Sequence, residues 1–178
     1  MKKWVASYVI ALAVQLSLCP AEEAIHEFRA VDPILLEKKV PAGYGQVFVQ
    51  AGRQNNIDPV VLAAISAHES GAWESGIARK KNNWMGLMTR RGPKSFGTPK
   101  ESIFYAAKLL NQKPFKDRDT LSQIAPIYCA NCPGRWKASV LHWEREFREW
   151  QAADAESAQI KQPSISVSLS LLPTGFWL

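Results

Sequence analysis

Cysteine is scarce in this chain, three in 178 residues, too few for disulfides to stand in for a hydrophobic core. Long apolar runs are nearly absent as well: only residues 4–18 approach the length of a membrane span, and they lie at the extreme N-terminus. Acidic residues are outnumbered, 16 against 22 Lys and Arg, leaving a formal net charge of +6. That excess suits an anionic partner such as nucleic acid, a membrane surface or a cell-wall polymer, without choosing among them. What is present is ordinary globular material: 47% hydrophobic and 21% charged residues exclude a wholly disordered chain. The length suits one domain with tails, and no internal repeat is visible.

The first residues read as a targeting segment. Met1-Lys2-Lys3 is basic, residues 4–18 carry no charge, and Cys19-Pro20-Ala21 precedes the acidic pair Glu22-Glu23. A basic start, an apolar run and small residues before a polar stretch make residues 1–21 a secretory signal peptide, with cleavage expected after Ala21. An uncleaved anchor is the alternative, although the run is short for a span. Export places the protein in the periplasm, the cell envelope or outside the cell. It argues against nucleic acid as the natural partner and limits membrane contact to the signal segment, if that is retained.

Residues 22–45 form an N-terminal extension in which Pro33 and Pro41 limit any helix. From Gln46 the pattern turns helical, with Val47, Phe48 and Ala51 on one face and Asn55-Asn56 as the stop. Asp58 as N-cap and Pro59 at the first helical position start the next helix. Its residues 60–67 are apolar nearly all round, the mark of a buried helix. It delivers His68-Glu69-Ser70-Gly71, with Gly71 as a fitting end. Turns and a small hairpin are expected next, with residues 84–88 and 95–96 as its arms and the turn near residues 91–93. Thr98, Pro99 and Glu101 then form a capping box ahead of a helix carrying Ile103, Ala107 and Leu110. A short helix over residues 120–125 should stop at Pro126. Trp136, Val140, Trp143, Phe147 and Trp150 make a helical stripe expected in the core. Residues 46–153 thus read as one mainly α domain with a small β-hairpin lobe, and residues 154–178, rich in Ser and poor in charge, as a loose tail.

Glu69 is the sharpest residue. It ends a helix with no polar face, so its carboxyl should be partly withdrawn from water. Desolvation and the negative end of the helix dipole both raise a carboxyl pKa. A carboxylic acid held protonated is what glycosidic cleavage requires, because the leaving oxygen must receive a proton.

The stretch from Ile57 through Asp58, Pro59 and His68-Glu69-Ser70-Gly71 resembles the catalytic helix of lysozyme-like peptidoglycan hydrolases. The following Ala78-Arg79-Lys80-Lys81-Asn82-Asn83-Trp84-Met85-Gly86 is similar to the segment after the catalytic Glu in the glucosaminidase branch, glycoside hydrolase family 73 and its relatives. Phe96 with Glu101-Ser102-Ile103, and Tyr128-Cys129-Ala130 with Trp136 and Val140, are similar to later motifs of that family. The resemblance covers residues 46–147 and implies a lysozyme-like α-rich fold. It makes Glu69 the general acid and puts Tyr128 in the cleft, touching substrate or the catalytic water. Asn83, Trp84 and Phe96 would shape the lobe; apart from the resemblance, Ser70 beside Glu69 and the aromatic Trp73 are expected at the substrate. The implied substrate is peptidoglycan glycan strands, cut at the β-1,4 link between N-acetylglucosamine and N-acetylmuramic acid, with no cofactor. One departure stands out: residues 88–99 contain no Asp or Glu, where glucosaminidases usually carry a second carboxylate. The substrate's N-acetyl group could assist, or Tyr128 could hold a water. The chain could instead be a lytic transglycosylase using the single Glu, or a non-catalytic wall-binding or assembly protein.

Cys129 and Cys132 form a C-x2-C. In an oxidising compartment a small disulfide bracing the turn behind Tyr128 is favoured over a zinc half-site, which would lack its second pair, so no metal is expected. Trp73 and Trp84 do not follow the helical stripe, and aromatic faces suit sugar rings. Arg79-Lys80-Lys81 and Arg90-Arg91 would be either a solvated surface or an attraction for anionic polymer.

Overall fold

The structure, a computed structural model, describes residues 24–160. In chain order it contains α1 (Pro33–Glu37), α2 (Gly45–Asn55), α3 (Pro59–Ser70), α4 (Gly76–Lys81), β1 (Met88–Thr89), β2 (Gly92–Pro93), α5 (Pro99–Leu110), α6 (Leu121–Tyr128) and α7 (Pro133–Ile160). This is the mainly α, lysozyme-like architecture with a small hairpin.

Helix α3 is the centre of the molecule. The Asp58 side chain accepts from the Val60 and Val61 N–H groups at 2.8 and 3.3 Å, and Pro59 supplies a preset φ with no N–H to satisfy. Every residue from Pro59 to Ala67 is buried, and Gly71, at φ 61°, ends the helix in the left-handed conformation. Around α3 pack α2, α5 and, most extensively, α7, which also supports α6. Asp58 is fully buried, but its charge is matched: Arg148 on α7 reaches it at 2.8 Å and Arg29 at 3.4 Å. The ion pairs tie the start of the central helix to both ends of the domain. Removing one partner of such a buried pair typically costs about 3–5 kcal/mol.

Several segments differ from the sequence expectation, each for a visible reason. The stretch read as an N-terminal extension belongs to the body of the domain. Ile25, Leu36 and Val40 lie in the core, and the Ile25 backbone bonds to Asp119 and Asp58. Pro33 starts a helix there rather than preventing one, because Asp32 caps it and the proline occupies its first position. Helix α4 was not anticipated; the Ser75 side chain caps it on the Ala78 N–H at 3.1 Å. Helix α6 passes through Pro126 instead of stopping before it. The missing N–H costs one hydrogen bond, against which stand buried Leu121, Ile124 and Ala125 and a full capping box between Thr120 and Gln123. Helix α7 runs on to Ile160, past the expected boundary at residue 153, through the strong helix formers Gln151, Ala152 and Ala153. The proposed signal peptide and residues 161–178 of the proposed tail lie outside the described residues. Within them, no helix is long and apolar enough to cross a membrane.

The hairpin is shorter than expected. Its ladder pairs only Met88 with Pro93 and Thr89 with Gly92. Proline at position 93 cannot donate to the ladder, and a side chain takes over below it. The Asn83 amide donates to the carbonyls of Leu87 (2.8 Å) and Lys94 (3.0 Å) and accepts from the Leu87 N–H (3.0 Å).

Candidate active site

Glu69 stands in the last turn of α3, where the core gives way to the surface. Three separate segments meet it. From α7, the buried Trp136 donates its indole Nε1–H to Glu69 Oε1 at 2.7 Å. From the hairpin lobe, Gly86 lies so close that a Cβ there would overlap Glu69 Oε2. Its φ of +63° is a second reason for glycine. From the end of α6, Tyr128 stacks on Trp136, with ring centroids 4.7 Å apart and an interplanar angle of 18°.

Burial pushes the Glu69 carboxyl pKa up, and the Trp136 hydrogen bond, which favours the ionised form, pulls partly against it. The Tyr128 phenol is pushed up by burial and further by the Glu69 charge, so it stays neutral. Its hydroxyl is buried and has no hydrogen-bond partner among the described residues. It is therefore an unsatisfied donor beside the acid. His68 is held by Ser139 at 2.8 Å, and burial lowers its pKa, which disfavours a positive charge beside Glu69. Cys129 and Cys132 are joined as a disulfide directly after Tyr128, with Cα atoms 5.2 Å apart.

Over residues 45–160 the chain matches the family model described as mannosyl-glycoprotein endo-beta-N-acetylglucosaminidase. It belongs to this glucosaminidase family. The enzyme is thus a glycoside hydrolase. Its fold is similar to that of S. aureus autolysin E. A complex of that protein with the muropeptide NAM-L-Ala-D-iGlu aligns at TM-score 0.56 and 16% identity, covering 72% of this chain and 71% of that one. A catalytic mutant of it in complex with the disaccharide NAG-NAM aligns at TM-score 0.54 and 18% identity, covering 84% and 78%. No curated protein matches the chain.

Within the glucosaminidase domain the residues singled out from sequence divide into two groups. Glu69 and Tyr128 come together, while Trp73 and Trp84 pack on each other, their rings 6.1 Å apart. Trp73 is half-buried at φ 67°, held by its N–H to Ser70 Oγ (2.8 Å) and its indole to Ser66 Oγ (3.0 Å). Trp84 is more enclosed, packed on Tyr44 at 4.4 Å. Ser70 and Asn83 do not present their side chains to a substrate, which corrects the expectation for both. Ser70 is fully buried between Ser66 and Trp73, and Asn83, 1% exposed, spends its amide on the hairpin. Phe96 packs against Tyr105 at 5.7 Å, in a groove that none of the Glu69 neighbours lines.

The other carboxylates considered beside Glu69 are engaged elsewhere. Glu74 is exposed and paired with Arg79 at 2.7 Å. Glu101 departs slightly from the expected box: its N–H goes to Thr98 Oγ1 at 3.3 Å, while its carboxylate takes the Gly97 N–H at 3.1 Å. Sequence reasoning missed Trp136 and Gly86 as site residues. Trp136 was hidden in a stripe that signals core, and it is core. Gly86 was legible only through the Asn-aromatic-x-Gly pattern.

Proposed function

We propose that this glucosaminidase is exported and cuts the β-1,4 glycan backbone of peptidoglycan on the reducing side of N-acetylglucosamine, with Glu69 as the general acid. The observation that carries this reading is the desolvated Glu69 carboxyl, oriented by Trp136. A raised pKa keeps the proton on Glu69 until it passes to the glycosidic oxygen as the C1–O bond breaks. The oxocarbenium-like centre at C1 is then captured. With residues 88–99 free of acids, two captures fit: attack by the sugar's own 2-acetamido oxygen followed by water, or direct attack by a water held at the Tyr128 hydroxyl. In either case the Glu69 carboxylate takes the proton that the water loses. The glycan ligands of the autolysin E complexes support the substrate class. The basic start and uncharged run of residues 1–21 and the net charge of +6 support the reading of an exported enzyme meeting an anionic wall.

The acid-free hairpin also favours a second reading, a lytic transglycosylase. There the substrate's own C6 hydroxyl captures C1, and the product carries a 1,6-anhydro end. Mass spectrometry of purified peptidoglycan digested by the mature protein separates the two. New reducing N-acetylglucosamine ends support the glucosaminidase, and anhydro ends the alternative. Glu69→Gln should abolish cleavage, since general acid catalysis contributes on the order of 10²–10⁴-fold. Glu101→Gln should leave turnover largely intact and cost at most about 1 kcal/mol of stability. Full activity of Glu69→Gln would sink the assignment.

A further inference from the structure

A groove of about 610 Å³ opens between α2, α5 and the segment after β2, its walls including Gln54, Asn55, Lys94, Phe96, Tyr105 and Lys108. A smaller neighbour of about 410 Å³ shares Gln54, Glu101 and Phe104 with it and adds Lys100. Trp136, Gly86 and Tyr128, which contact or stack around Glu69, line neither. The inner face of α5 is spent on the core through Ile103, Ala106, Ala107 and Leu110. Its outer face need only be solvated, yet it carries Phe104 and Tyr105, the latter 46% exposed.

The charges of the groove are arranged. Lys94 Nζ lies 4.8 Å from the Tyr105 ring centroid and 5.5 Å from that of Phe96, and Lys100 Nζ lies 5.7 Å from that of Phe104. These contacts hold the cations over an apolar floor without neutralising them. Lys94, Lys100 and Lys108 form no ion pair among the described residues. The single carboxylate, Glu101, is turned to the Gly97 N–H at 3.1 Å and the Thr98 hydroxyl at 3.4 Å. Three lysines, two of them held over rings, together with the flat rings and the Gln54 side-chain amide complement a ligand that alternates carboxylates, short alkyl groups and amide bonds. An uncharged sugar chain offers the lysines hydrogen-bond acceptors but no opposite charge.

We infer that this groove is a second binding site, which takes a short acidic peptide and thereby holds the peptide-bearing part of the polymer while Glu69 acts on the glycan. That the peptide is the stem peptide of peptidoglycan rests on the function proposed above. The peptide arrives pre-attached to the strand, so even weak binding raises the local concentration of glycan at the cleft.

The test uses the full mature chain carrying Glu69→Gln, titrated calorimetrically with two soluble probes: the acidic tripeptide Ala-γ-Glu-Ala and neutral chitotetraose. The tripeptide should bind with an affinity that falls as salt rises. The pair Lys94→Ala and Lys108→Ala should weaken it roughly 2- to 30-fold, from two exposed charge contacts, and leave chitotetraose unchanged. Lys94→Arg with Lys108→Arg should restore binding, which separates lost charge from lost folding; Tyr105→Ala tests the floor independently. Absence of tripeptide binding, equal affinity in the double alanine variant, or equal losses on both probes overturns the inference. Failure of the unaltered enzyme to cut peptidoglycan would refute the proposed function instead, and it would leave the tripeptide titration to decide the groove.

Discussion

Trp136 gives the most direct handle on how the fold tunes its acid. Trp136→Phe keeps an aromatic ring against Tyr128 but deletes the Nε1–H donated to Glu69 Oε1 at 2.7 Å. Hydrogen bonds to charged groups contribute about 1.5–3 kcal/mol, and one pKa unit corresponds to about 1.4 kcal/mol. The protonated carboxyl also accepts from the indole, more weakly, so only part of that energy separates the two protonation states. The expected shift is therefore about one unit, upward, because the lost bond favoured the ionised form. Neither neighbour that titrates opposes this: His68 and Tyr128 are both driven toward their neutral forms by burial. A general acid works while protonated, so activity is lost as pH rises through its pKa. In the pH profile of kcat/KM, which reports the free enzyme, the alkaline limb of the variant should move to higher pH by about one unit. Maximal turnover should fall as well, because the freed carboxyl loses its orientation. The buried indole also costs on the order of 1–3 kcal/mol of stability when cut back to phenyl, which thermal unfolding checks separately. An alkaline limb that stays in place or moves to lower pH would refute the link between Trp136 and the Glu69 proton.

Gly86→Ala should be nearly inactive and less stable, because its Cβ meets Glu69 Oε2 and its backbone sits at φ +63°; turnover together with the melting temperature checks it, and wild-type turnover would contradict the contact. The pH dependence of stability gives a further check. The folded pKa of Glu69 is raised above its unfolded value, so the protonated group's contribution is complete below the unfolded pKa and is lost as pH rises through the folded one. Glu69→Gln stays neutral, so its melting temperature should exceed that of the wild type increasingly over that window, and a constant difference across pH would speak against a desolvated acid.

Much of this was legible in the sequence because the signals were local. Asp58-Pro59 and Gly71 mark the ends of α3 by capping chemistry alone, and the apolar run between them marks its burial, so Glu69 could be picked out as an acid at the edge of the core. The misreadings arose where tertiary contacts outweigh local preference. Pro126 breaks a helix in isolation, but the buried face of α6 and the Thr120–Gln123 box hold it through the proline. Asn83 reads as a cleft residue by motif, yet its amide replaces hydrogen bonds that the two-residue ladder cannot supply. The extension before Gln46 is short of helical pattern, yet Ile25 and Leu36 fill the core through contacts of long sequence separation. Trp136 illustrates a deeper limit. Periodicity assigns a residue to one face of a helix, and a single polar atom on a buried ring can still decide the chemistry of a distant carboxylate.

The way Glu69 is held has a structural consequence. Its neighbours come from the hairpin lobe, α6 and α7, and the last two are positioned by core packing rather than by flexible loops: α7 lies along α3, and α6 lies on α7. The buried network of Asp58 with Arg148 and Arg29 fixes the far end of the same α3–α7 pair. The position of the Trp136 indole relative to Glu69 is thus set by the whole length of the helix contact, and a hydrogen bond of 2.7 Å tolerates little sliding between the two. The lobe side is different in kind. There Gly86 approaches the carboxylate from the turn before the hairpin, between the buried Met85 and Leu87, with the Asn83 amide and the Ser66–Trp84 and Trp84–Ser102 hydrogen bonds holding the segment. The acid therefore has one neighbour placed by a long helix contact, which tunes it, and one placed by a buried turn, which lies against it.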